Sequence, residues 1–116
     1  MKSAGILLSR RQIVLAVIIG NSVQIYRLKD VNDLLKVLST AKPDVVGIES
    51  TAAELFDDVY YSFNAVKIES VTDINIKEAD SRLTKLNIVK NVDENKAIAV
   101  AYIAGSNLEK TDSRIS

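Results

Sequence analysis

Along residues 4–28 the spacing of apolar positions predicts β-structure throughout. Ile6-Leu7-Leu8 is a short apolar stretch closed by the polar break Ser9-Arg10-Arg11. Gln12 to Ile19 is rich in Ile and Val, the pattern of a strand buried on both faces. Gly20-Asn21-Ser22 signals a turn, and Val23, Ile25 and Leu28 continue with mixed alternation. The period then changes. Val31, Leu34, Leu35 and Leu38 form a helical stripe, with Asp30 placed as N-cap and Pro43 just beyond the stop.

Asp44 to Glu49 is a short apolar strand, and Thr51-Ala52-Ala53-Glu54 matches a capping box. Leu55, Phe56, Val59, Tyr60 and Phe63 recur along one helical face, and Ala65 to Val71 alternates as a fifth strand. Asp73 to Leu86 is polar and reads as partly helical. A last helix starts near Asp93, where Ala97, Ile98, Ala101, Tyr102 and Gly105 make a small-residue face able to approach a sheet closely. The expected organisation is a single domain over 1–105 with a flexible polar tail at 106–116. The order βββαβαβα implies an antiparallel meander extended by two parallel strands, a mixed five-stranded sheet with helices on both faces.

Composition narrows the chemistry. The 116 residues contain no histidine and no cysteine, so imidazole bases, thiolate nucleophiles and Cys-based zinc sites are excluded. Chemistry is left to carboxylates, lysines, hydroxyls and backbone. Fifteen basic and 15 acidic residues cancel, so no broad field draws a polyanion. The longest apolar run, Ile13 to Ile19, is far short of the roughly 20 residues of a membrane span, and the segment after Lys2 is too short for a secretory signal core. These features fit a cytoplasmic protein without a membrane partner.

The element order and three short strings resemble the ribonuclease H-like superfamily, in particular RuvC-type resolvases. Gly5-Ile6-Leu7-Leu8-Ser9 stands where that group has Gly-Ile-Asp-Pro-Gly on its first strand. Val46-Gly47-Ile48-Glu49 is similar to the fourth strand, which ends in a catalytic Glu. Asp93-Glu94-Asn95-Lys96-Ala97-Ile98-Ala99-Val100-Ala101 is similar to the last helix, Asp-x-x-Asp-Ala-Leu-Ala-x-Ala. The resemblance covers residues 4–105. It implies carboxylates converging on Mg²⁺ or Mn²⁺, which activate water for phosphodiester cleavage. Glu49 and Asp93 match two acidic positions and are the catalytic candidates. Leu7 replaces the first-strand Asp, and Lys96 replaces the second Asp of the helix. An apolar side chain removes the main ligand, and an ammonium one turn from Asp93 repels a cation. A salt bridge from Lys96 to Glu49 or Asp93 is expected in place of a metal site, with no cofactor. Two-metal nuclease activity is expected to be absent or very weak.

Each candidate also has a plainer role. Glu49 is placed to favour the N-terminus of the following helix, and Asp93 to cap its own. Arg10 and Arg11 are either phosphate contacts, together with Lys96, or a charged hairpin tip. Asp57-Asp58 point about 100° apart on a helix and read as a solvated face. Tyr60, Tyr61 and Phe63 read as core or an oligomer contact. Gly20-Asn21-Ser22 lacks the spacing of a phosphate loop. Three functions follow in order: a non-catalytic or minimal domain associated with nucleic acid, a protein-interaction module such as a homodimer, and a metal-dependent nuclease using Glu49, Asp93 and Glu94.

Overall fold

The structure, a computed structural model, describes residues 2–62, 67–71 and 92–115. Its elements are β1 (Lys2–Ser9), β2 (Gln12–Ile19), β3 (Ser22–Leu28), α1 (Val31–Ala41), β4 (Val45–Glu49), a 3-10 turn (Ser50–Leu55), α2 (Phe56–Ser62), β5 (Lys67–Val71) and α3 (Val92–Ile115). The strands pair in the order β3-β2-β1-β4-β5. β1–β2 and β2–β3 are antiparallel, whereas β1–β4 and β4–β5 are parallel. The sheet is therefore mixed, as a meander followed by crossover units requires. The helix expected over Asp73 to Leu86 lies outside the described residues, as do Phe63 and the start of the fifth strand at Ala65.

β2 is apolar throughout because both of its faces are covered. Ile13, Leu15 and Val17 join a core with Leu34, Leu38, Leu55 and Val59 from α1, the 3-10 turn and α2. Val14 and Ala16 join another with Leu7 and residues 97–101 of α3. Leu34 and Leu38 are fully buried at the centre of the α1 stripe, each contributing roughly 1.5–3 kcal/mol over an exposed position. The helix starts at Asp30, whose Oδ1 accepts from the Asp33 amide at 2.9 Å. Replacing Asp30 with Ala is expected to cost about 1 kcal/mol in urea denaturation. It stops where Lys42 turns left-handed (φ 51°) and its amide donates to the Leu38 carbonyl at 2.8 Å.

Two glycines decide where α3 lies. Gly5 and Gly47 are register partners on β1 and β4. A Cβ on Gly5 would overlap the Ala97 carbonyl oxygen and the Ala101 amide, and would lie 3.0 Å from the Ala101 Cα. A Cβ on Gly47 would sit 3.0 Å from Val100 and Ala104. The helix backbone thus rests directly on the strands, a close approach that small residues permit. The small-residue face is real, but Tyr102 is not part of it: it is 38% exposed, and Val100 and Ala104 take the contact instead. α3 also continues past Gly105 to Ile115, through the segment read as a flexible tail. Leu108 is buried there against Val45 and Ala104. That anchor is a single apolar residue in a polar stretch, too sparse to register as a periodic pattern.

The two hairpins meet the same steric problem differently. β1 and β2 are joined by Arg10-Arg11 alone, since Ser9 pairs with Gln12. Both arginines have positive φ, 50° and 65°. Such a two-residue connection needs left-handed backbone at both positions and ordinarily has Asn-Gly. With arginine each position costs about 1–2 kcal/mol. In the β2–β3 hairpin the positive φ (59°) falls on Gly20, where it is free of that cost.

Candidate functional site

The pairing directions bring the C-terminal ends of β1, β3, β4 and β5 to one end of the sheet. α3 runs over β1 and β4 in the opposite sense, since Gly5 lies under Ala97 and Ala101 while Val45 lies against Ala104 and Leu108. Its first turn therefore reaches the same end, with Asp93 and Glu94 half-buried and Lys96 exposed. The register that pairs Ile6 with Ile48 carries on toward Leu7 and Glu49. Glu49, Leu7, Asp93 and Lys96 thus belong to one end of the fold, contributed by two strands and a helix.

Glu49 is 4% exposed, and its carboxylate turns onto its own chain. Oε1 accepts from the Ser50 hydroxyl at 2.6 Å, and Oε2 accepts from the Thr51 amide at 2.9 Å and from the Thr51 hydroxyl. Thr51 Oγ1 in turn accepts from the Leu8 amide at 3.1 Å. The β1–β4 pairing ends at Ile6 and Ile48. Beyond it, the Glu49–Thr51–Leu8 chain of hydrogen bonds ties the two strand ends together. A buried carboxylate needs such donors.

This geometry corrects two expectations. Thr51 does not cap the helix, because Glu49 occupies that position for the 3-10 turn, and Glu54 is exposed. The longer Glu side chain reaches back to the Thr51 amide, and the Thr51 hydroxyl is committed to Glu49 and Leu8. Asp93 is likewise not an N-cap, since α3 begins at Val92 and Asp93 lies within its first turn. There its charge still suits the helix dipole.

Leu7 is 3% exposed and packs with Val14 and Ala97. Val14 is paired on its other side with Arg27 of β3. Arg27 Nε lies 3.7 Å from Glu94 Oε1, and its guanidinium donates to Gln12 Oε1 at 3.4 Å. Among the described residues this is the ion pair at the first turn of α3, and Lys96 takes no part in one. The expected Lys96 bridge to Glu49 or Asp93 is therefore not what forms. Glu49 is closed off by nearer hydroxyl and amide donors, while the Lys96 stem runs to solvent. Arg27 and Ser50 were not singled out from the sequence, and Thr51 only as the start of a capping box. The run Glu-Ser-Thr at a strand end was the available signal for the last two, but Arg27 gave none. Among the described residues, no three His, Cys, Asp or Glu side chains are grouped to hold a metal ion.

α2 carries Phe56, Tyr60 and Tyr61. Tyr60 and Tyr61 are 56% and 82% exposed, so neither is core. The Tyr60 ring stacks on Phe56 (centroids 6.1 Å apart) and meets Tyr61 edge-on at 5.2 Å. Asp57 and Asp58 are exposed.

The T. thermophilus RuvC structure, in complex with a Holliday junction substrate, superposes with a TM-score of 0.54 over 87% of this chain and 90% of that one. The fold is similar to that of this RuvC. At 17% identity the likeness extends to the fold alone. No protein-family model matches the sequence, and no curated protein does. Among the described residues, no helix is long and apolar enough to cross a membrane.

Proposed function

We propose that this chain is a ribonuclease H-like domain, a five-stranded mixed sheet with helices on both faces, that associates with nucleic acid without two-metal cleavage. The observation that carries the reading is Leu7. It is buried among apolar neighbours at the strand end where the resemblance calls for the central carboxylate. Glu49 supports the same reading, because its two oxygens already accept hydrogen bonds from Ser50 and Thr51. A divalent ion would have to displace those donors and desolvate beside a leucine. Nucleic acid enters through the shared fold with a junction-bound protein, a likeness that supports a class of partner and no particular substrate. A cytoplasmic site of action accords with a chain that contains no cysteine.

The test is binding and cleavage measured together. Fluorescence anisotropy with labelled four-way junction, duplex and single-stranded DNA at 50 mM salt is expected to show binding that weakens steeply toward 200 mM. Incubation with Mg²⁺ or Mn²⁺ is expected to leave each DNA uncut. Cleavage with Mn²⁺ that disappears in Glu49→Gln would establish the alternative, a metal-dependent nuclease with a reduced carboxylate set. No binding to any nucleic acid at 50 mM salt would remove the association.

One observation favours a protein-interaction module instead. Tyr60 and Tyr61 project from α2, and Tyr is enriched in interface cores. A homodimer or a protein partner seated there would hide them. Light scattering reporting a strict monomer at high concentration would exclude the homodimer.

A further inference from the structure

We infer that the Arg10-Arg11 hairpin tip docks the backbone phosphates of nucleic acid, which rests on the function proposed above and locates its contact. Both arginines hold left-handed backbone, where Asn-Gly would serve without strain. The same chain places glycine at the positive φ of its next hairpin. Side chains that persist in a costly conformation point to a use for the side chains themselves.

The surroundings identify the use. Both arginines are exposed, and among the described residues neither is in an ion pair. Arg27, by contrast, is matched by Glu94. The tip lies at the end of the sheet that holds Glu49 and the first turn of α3, and exposed Lys29 and Lys96 belong to the same end. Among the described residues, Arg10, Arg11, Lys29 and Lys96 are exposed cations at this end that take part in no ion pair. Guanidinium forks match phosphate oxygens bidentately, and several cations at one end suit a partner with regularly repeated charge. The flanking Ser9 and Gln12 are polar, so the tip offers nothing apolar to a bilayer.

The decisive variant is Arg10→Asn with Arg11→Gly, which keeps the turn and relieves it. Its Tm is expected to rise by roughly 4 °C or more. Its affinity for a labelled four-way junction at 50 mM salt is expected to fall at least about tenfold, and the log K against log salt slope to drop by about two. Arg10→Lys with Arg11→Lys retains charge and strain, so its Tm stays near wild type and the salt slope survives. A double Asn-Gly variant that binds within twofold of wild type would overturn the docking role, and a lowered Tm would overturn the strain argument. Polyglutamate competing as well as unlabelled DNA would also overturn it, in favour of an acidic protein. Failure of the wild type to bind any nucleic acid removes the proposed function and this contact together; wild-type binding that the variant retains removes the contact alone.

Discussion

Gly5→Ala is expected to remove about 4 kcal/mol or more of stability, a large share of the roughly 5–15 kcal/mol that native proteins typically have. The added methyl would overlap the Ala97 carbonyl oxygen and the Ala101 amide, both parts of the α3 backbone. A side chain in the way can rotate, but a hydrogen-bonded helix can only lift as a unit. Lifting α3 opens the packing of Leu7, Val14 and Ala16 against residues 97–101. Gly47→Ala provides the contrast. Its methyl would lie 3.0 Å from the Ala104 Cβ, a Val100 methyl and the Val100 carbonyl oxygen, contacts that a small shift relieves. About 1–3 kcal/mol is expected there. Urea denaturation of the two variants checks the order. A Gly5→Ala protein within 1 kcal/mol of wild type would mean that α3 does not rest on β1.

Glu49→Ala is expected to destabilise the protein by about 2–3 kcal/mol without any dependence on divalent metal. The carboxylate caps the 3-10 turn and accepts from the Ser50 hydroxyl and from the amide and hydroxyl of Thr51. Removing it leaves several donors without their acceptor at a buried strand end. Thr51→Val breaks the same chain of bonds from the other side, since it also strips the Leu8 amide of its partner. The two substitutions together should cost less than the sum of each, with a coupling above about 0.5 kcal/mol in a double-mutant cycle. Thermal unfolding of the wild type with and without millimolar Mn²⁺ should give the same Tm. A Mn²⁺-induced rise in Tm that Glu49→Ala abolishes would make Glu49 a metal ligand and overturn the structural role.

Much of the architecture was readable along the chain because burial imposes a period. The Val31, Leu34, Leu35, Leu38 stripe and the unbroken apolar run of β2 each follow from the faces they cover. Polar ends were harder. The Glu49 cap competed with an equally good capping box two residues later, and only the reach of one side chain decides between them. Tyr60 fitted a helical stripe yet is exposed, because α2 is short and, among its described residues, fully buries Val59 alone.

The sequence by itself determined the order of elements, the apolar character of position 7 and the lack of any thiol or imidazole chemistry. These are matters of residue identity and local spacing, which need no knowledge of distant neighbours. Only the tertiary structure decided that Glu49 turns onto Ser50 and Thr51, that Arg27 rather than Lys96 forms the ion pair with α3, and that Arg10 and Arg11 hold left-handed backbone. The ion pair and the hairpin backbone depend on strand register and on how closely α3 approaches Gly5. Both arise from contacts between residues far apart in the chain, which no local pattern records.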